Sequence, residues 1–348
     1  MKNENASKRI GILCPSEIAY RRFLPALKNV AGATLIGVGM NTPDERYGSN
    51  LPDTSEIAFM LENEKEKASK MISEYGGNLF SSYEEIISSP DIDAIYIPLP
   101  PALHYKWSRE VLKHGKHVLV EKPSTTSYKE TNDLVEIAEN SGLGLHENYM
   151  FIFHNQLRAI DSIVKSGEIG DVRLYRITFG FPRRAANDFR YNKELGGGAL
   201  IDAGGYTIKY ATKLLGEKAE IKYAHLNYID EFDVDIYGSA ALVNNDGVTA
   251  QIAFGMDNDY KCELEVWGSK GTLRTGRVLT APAGFTPRIT IKKNTEMEER
   301  PLPEDDAFKK SIEHFLKCID DKEVREENYK AILMQAQLVE QFSEMAVK

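Results

Sequence analysis

Four residues, His117-Val118-Leu119-Val120, run directly into Glu121-Lys122-Pro123. An apolar run this short, without alternation, reads as a strand buried on both faces, as in a parallel sheet covered by helices. Comparable runs occur at residues 9–13, 34–39, 93–97 and 143–149, with helical spacing between them at 18–30, 53–75, 105–114 and 127–141. Strands that alternate with helices predict a doubly wound parallel sheet. Ligands of such sheets bind outside the carboxyl ends of the strands. Lys122 therefore stands where it meets a ligand; the alternative is a solvated lysine at a strand exit.

The second half of the chain has a different rhythm. Residues 170–181 alternate, and strand-like runs bunch at 221–228, 232–242, 247–254, 260–268 and 271–275 before two closing helices at 304–319 and 326–346. This predicts an α+β domain with a large, mainly antiparallel open sheet. We place the boundary near residue 148, giving domains 1–148 and 149–348, with the last helix able to pack back on the first.

The composition narrows the function. Of 348 residues, 42% are hydrophobic and 27% charged, with a net charge of -9, which argues against a nucleic-acid or anionic membrane surface. No stretch approaches the ~20 apolar residues of a membrane helix, and the polar start of the chain lacks a signal-like apolar core. Cys14, Cys262 and Cys318 are odd in number and far apart, which fits a reducing cytoplasm and gives no zinc spacing, so no metal is expected.

The second motif is Gly196-Gly197-Gly198-Ala199-Leu200-Ile201-Asp202-Ala203-Gly204-Gly205-Tyr206. With Glu121-Lys122-Pro123, it makes the chain resemble the glucose–fructose oxidoreductase/inositol dehydrogenase (Gfo/Idh/MocA) family, from about Arg9 to the final helix. That family has Glu-Lys-Pro at the end of a Rossmann-domain strand. Its second signature is a glycine triplet, then Asp, then Gly, with His or Tyr four residues after the Asp. The resemblance implies an NAD(P)-dependent oxidoreductase that interconverts a hydroxyl and a ketone on a sugar or nucleotide-linked sugar. Its tyrosine version is similar to ketoreductases of nucleotide-linked deoxysugars. Free-sugar, cyclitol or trans-dihydrodiol dehydrogenases are the rivals within the class. A dinucleotide-binding regulator without turnover is the rival outside it.

The resemblance also assigns residues. If the glycine triplet starts a helix, Asp202 and Tyr206 share a face, and Lys122 from the other domain joins them as the catalytic set. Tyr206 is the proton donor, Lys122 the cation that lowers its pKa and binds the substrate oxygen, and Asp202 an orienting carboxylate. On the cofactor side, Cys14, Ser16 and Ala19 stand at the family's three glycine positions, where Cys14-Pro15-Ser16 makes a tighter turn than glycines would. Ser16, Glu17 and Ile18 open the helix that meets the pyrophosphate. Pro98, Leu99 and Pro100 lie along the nicotinamide ribose, His104 is structural or on the cofactor side, and Glu121 precedes the lysine. Asn148, Tyr149, Arg183 and Arg190 are assigned to the substrate, the arginines as clamps for an anionic group. The family's open sheet face makes the subunit contact, which implies a homodimer or homotetramer.

Three further expectations come from the residues. The second strand ends Gly37-Val38-Gly39-Met40-Asn41-Thr42 with no acid for the ribose of NAD, and Asn41, Thr42 and Arg46 are placed to take a 2′-phosphate, so NADP is favoured over NAD. Glu64-Lys65-Glu66-Lys67 reads as a solvated helix face. His146 and His154 read as structural, with a bound water or His146 next in line as a proton donor after Tyr206.

Overall fold

The computed structural model describes residues 7–47 and 53–347; the polar N-terminal stretch before Ser7 lies outside the described residues. The chain forms two compact units. One comprises the chain up to Thr125, Lys129–Asn148 and Ser311–Ile332; the other comprises Thr126–Tyr128, Tyr149–Lys310 and the chain from Leu333 onward.

The first unit is a Rossmann domain. Its strands are β1 (Lys8–Ile12), β2 (Ala33–Gly39), β3 (Asn78–Phe80), β4 (Ala94–Ile97), β5 (His117–Val120) and β6 (Leu145–Glu147). They pair in the order β3-β2-β1-β4-β5-β6, every pair parallel. This order reverses between β1 and β4, and the crevice at that switch point is where the fold takes a dinucleotide. The connecting helices are α1 (Leu24–Leu27, continuing a π-helical turn at Ala19–Phe23), α2 (Pro43–Tyr47), α3 (Thr54–Tyr75), α4 (Tyr83–Ser88), α5 (Pro101–Lys113) and α6 (Tyr128–Ser141). Residues such as Ile12, Val38, Ile95, Val118 and Val120 are fully buried, which accounts for their unalternating apolar runs. The helix α5 starts at Pro101, four residues before the sequence reading put it. Proline suits a first helical position because its missing N–H has no partner there anyway.

The second unit adds α7 (Asn155–Lys165), β7 (Val172–Gly180), a π-helical turn at Leu200–Gly204 running into α8 (Gly205–Leu215), then β8 (Glu220–Tyr228), β9 (Asp235–Val243), β10 (Thr249–Gly255), β11 (Lys261–Gly268), β12 (Thr272–Gly276), β13 (Arg288–Lys293) and β14 (Glu296–Pro301). The eight-stranded sheet runs β14-β13-β12-β11-β7-β10-β9-β8 and is antiparallel except at β7–β10. One face buries Ile177, Ile236, Leu242, Ile252, Leu264 and Val266; the other leaves Tyr223, Tyr237 and Trp267 exposed.

Two helices, α9 (Ala307–Asp320) and α10 (Lys322–Met345), close the chain. Residues 311–332 group with the first unit. Polar bonds hold them there: Ser311 Oγ donates to Asn148 Oδ1 at 2.7 Å, and the Tyr329 hydroxyl donates to the Leu143 carbonyl.

Candidate active site

At the carboxyl end of β1, Ser16 caps the following helix: its Oγ accepts the Ala19 N–H at 3.2 Å. The first N–H groups of a helix have no intrahelical partner. With Ala19 satisfied, those of Glu17 and Ile18 are the ones an anion at this turn would meet. Burial, followed by the charge of Glu64, pushes the Cys14 thiol up to about 12, so it is neither a thiolate nor a nucleophile at neutral pH.

In the loop after β2, Asn41 and Thr42 are bonded to carboxylates. Asn41 gives its N–H and its side-chain Nδ2 to the two oxygens of Glu64, each at 3.0 Å, and Arg46 Nη1 reaches Glu64 Oε1 at 3.2 Å. The Thr42 N–H goes to Glu45 Oε2 at 2.7 Å while its hydroxyl accepts the Glu45 N–H, a capping box. Glu64 itself is 7% exposed and not on a solvated face. The missed signal was spacing: Met60, Glu64, Ala68 and Met71 form the buried stripe of α3. Burial pushes the Glu64 carboxyl up, with the Asn41 bonds and Arg46 pulling it down.

At the ends of β4 and β5, the buried ring of His104 ties two loops together. Its Nε2 lies 2.7 Å from the Leu99 carbonyl and its Nδ1 2.7 Å from that of Pro123, between Pro98-Leu99-Pro100 and the Lys122–Pro123 turn. Burial pushes the imidazole down to about 4 while the two carbonyls raise it; a neutral ring has one N–H and donates to only one of the two. Glu121 is also held from behind: its Oε1 accepts from the Tyr96 hydroxyl at 2.6 Å and from Asn148 Nδ2 at 2.7 Å. Asn148 is 2% exposed with both ends of its amide bonded, and it positions Glu121. Lys122 follows, partly buried.

In the second unit, the glycine triplet does not begin the helix. Gly196 (φ 77°) closes the preceding turn, and the helix starts at Ala199. Packing explains the glycines: a Cβ on Gly197 would lie 2.4 Å from the Arg190 carbonyl, and one on Gly198 (φ 122°) 2.5 Å from Asp235 Oδ1. Asp235, unmarked by any motif, caps this helix from β9 by accepting the Leu200 N–H at 2.6 Å. Burial raises its carboxyl to about 6 from 3.8. A raised carboxyl favours the folded state most at low pH, and that advantage is lost as pH climbs through about 6. Asp235→Asn keeps an acceptor and removes the charge. Its stability relative to the unaltered chain should therefore rise between about pH 4 and pH 6.5, by up to about 3 kcal/mol. Thermal unfolding of both forms across that range checks this; a difference constant with pH would contradict it.

Asp202 lies in the π-turn, and its Oδ2 accepts from Arg190 Nε at 2.7 Å, while Arg190 Nη1 also holds Asp188 at 3.1 Å. Arg183 is matched by Glu231 at 2.7 Å and Asp257 at 3.1 Å. The two arginines assigned to clamp an anionic substrate are each bonded to a pair of carboxylates, with Arg190 holding Asp202. Tyr149 belongs to the surroundings of Tyr206. It is 1% exposed and packs edge-on against Tyr206 with ring centroids 5.2 Å apart. Phe179 (5.3 Å) and Phe151 (5.6 Å) complete the aromatic wall that fixes the Tyr206 ring. A Cβ on Gly205 would sit 2.1 Å from the Tyr149 hydroxyl, which makes this glycine a steric requirement for the wall. His146 is buried with both ring nitrogens bonded, to Asn328 Oδ1 at 3.1 Å and Ser311 Oγ at 2.9 Å, which removes it as a reserve proton donor. Among the described residues it also groups with His314 and Cys318 at metal-ligand spacing, but its nitrogens are already satisfied within the protein.

Two family models match the chain: the oxidoreductase family with NAD-binding Rossmann fold over residues 32–149, and the GFO/IDH/MocA C-terminal domain over residues 157–274. A dTDP-3,4-didehydro-2,6-dideoxy-alpha-D-glucose 3-reductase from Actinomadura kijaniata is 34% identical over 332 residues, 95% of this chain and 93% of that protein. The chain belongs to the Gfo/Idh/MocA oxidoreductase family. Another member, the reductase of the same name from Streptomyces violaceoruber, is 35% identical over 341 residues, 95% of this chain and 93% of its own. Among solved family structures, the 3-ketoreductase KijD10 from Actinomadura kijaniata, in complex with NADP and TDP-benzene, superposes with a TM-score of 0.87 at 34% identity over 98% of both chains. KijD10 variants with a tyrosine changed to phenylalanine and a lysine changed to alanine or glutamate were also solved. Those two positions are separated there by the same number of residues as Lys122 and Tyr206 here.

Proposed function

We propose that this protein reduces a ketone on a nucleotide-linked deoxysugar, with NADP(H) as its cofactor. The observation that carries the reading is the retention of both Lys122 and Tyr206 in a chain that matches dTDP-sugar 3-reductases over nearly its full length. The dTDP-3-ketosugars named for those relatives are the substrate class. The first unit fits a dinucleotide: its sheet order switches between β1 and β4, and the N–H groups of Glu17 and Ile18 open a helix at that point.

When bound, the dinucleotide supplies the hydride. The chain supplies the rest. Reduction of the carbonyl carbon leaves an alkoxide, and Tyr206 gives its hydroxyl proton to that oxygen. The Lys122 ammonium partners the negative charge on the oxygen and then on the phenolate. Asp202, aimed by Arg190, orients a sugar hydroxyl or the Tyr206 hydroxyl. The aromatic wall around Tyr206 limits its rotamers, so its proton arrives from one direction.

We place the enzyme in the cytoplasm with the nucleotide sugars; among the described residues no helix is long and apolar enough to cross a membrane. We also assign the open face of the large sheet, with Tyr223, Tyr237 and Trp267 exposed, to contact with a second copy of the chain.

Absorbance at 340 nm against a substrate panel tests the function. Loss of NADPH absorbance is expected with dTDP-3-ketosugars, and no gain of it with NADP and free xylose or trans-dihydrodiols. Cofactor binding with no turnover of any compound would favour the regulator instead.

A further inference from the structure

The second strand carries no acid at its end, yet a carboxylate stands there. Glu64, from α3, holds the backbone and side chain of Asn41 at 3.0 Å each, at the point where this fold receives the adenosine ribose. An acid at this point bonds the ribose 2′-hydroxyl of NAD and repels a 2′-phosphate; an arginine nearby accommodates the phosphate of NADP. Here the two are paired with each other, Arg46 Nη1 to Glu64 Oε1 at 3.2 Å. The pair is lopsided: the side chain of Glu64 is 9% exposed and that of Arg46 is 43% exposed. Arg46 can swing towards an incoming phosphate, whereas Glu64 is anchored by Asn41.

We propose that Glu64 is the cofactor-selecting residue of this protein. It is the ribose-end carboxylate, delivered by α3, and by holding Arg46 it restrains the preference for NADP(H) over NAD(H). The proposal rests on the dinucleotide reading above. NADP(H) gains the Arg46 contact only in competition with Glu64, while NAD(H) meets a carboxylate-backed Asn41 and no repulsion. The unaltered protein should therefore discriminate only modestly between the two cofactors.

The test is titration of NADPH and NADH, by quenching of protein fluorescence, on the unaltered chain, Glu64→Gln and Arg46→Gln. Glu64→Gln preserves shape and removes one charge. It should move the ratio of the two affinities towards NADPH by about tenfold, the scale of a single neutralised charge near a protein surface. Arg46→Gln should weaken NADPH about as much and leave NADH unchanged. Equal changes for both cofactors in Glu64→Gln would mean a merely structural role and overturn the proposal, as would a shift towards NADH. If Glu64→Gln does not fold, Arg46→Gln decides alone, since its side chain is largely exposed: a loss confined to NADPH supports the proposal, and an equal loss overturns it. Failure of the unaltered protein to bind either cofactor would instead overturn the dinucleotide reading, and this proposal with it.

Discussion

Replacing Tyr206 by Phe is expected to lower kcat by about 10²–10⁴-fold, the usual worth of general acid catalysis, while cofactor affinity stays nearly unchanged. The substitution removes the proton and leaves the ring, and the ring is what Tyr149, Phe151 and Phe179 pack against. The fold should therefore survive with its melting temperature nearly intact, so a loss of rate can be assigned to chemistry. Single-turnover measurement with saturating NADPH separates that step from binding and release. A variant that kept more than about a third of the native rate, where chemistry limits, would place the donor elsewhere. A bound water would then be next in line, because both ring nitrogens of His146 are already bonded.

Lys122→Ala should cost at least as much. The ammonium has two duties in the proposed reaction: it favours the phenolate of Tyr206, and it partners the alkoxide. Removing it takes away both. The double variant, Lys122→Ala with Tyr206→Phe, should lose far less than the product of the two single losses, because both groups act on one proton. A strictly multiplicative loss would show that the two act independently, and the division of roles would have to be redrawn. The Glu121 network should persist in Lys122→Ala, since Tyr96 and Asn148 hold that carboxylate without the lysine.

The Rossmann strands were legible because each is buried on both faces, so its residues are apolar without interruption. The strands of the second sheet were legible as far as β12, where one face is buried and the other is not. The hairpin of β13 and β14 escaped notice because its sequence is dominated by charge, with Glu296, Glu298, Glu299 and Arg300 in the last strand. Lys122, Asp202 and Tyr206, the residues proposed for the reaction, were visible through motif spacing. Their supporting residues were not, because those act across long separations. Asp235 caps a helix 35 residues upstream of itself. Ser311 supports Asn148 from 163 residues away. Glu64 looked like one charge in a solvated run, and only the burial of Met60, Ala68 and Met71 on the same stripe betrays it. Asn148, Tyr149, Arg183 and Arg190 were assigned to the substrate by their place in the chain. Each is engaged with neighbours within the protein.

The central claim is that hydride passes from a nicotinamide to a sugar ketone on this protein. The direct measurement uses NADPH deuterated on one face at C4, incubated with the enzyme and a dTDP-3-ketosugar, followed by mass spectrometry and NMR of the sugar. The account predicts one deuterium, on the carbon that was the ketone, from one of the two C4-labelled cofactors and not the other. Cofactor that binds yet keeps its label, with the ketone unreduced, would contradict it.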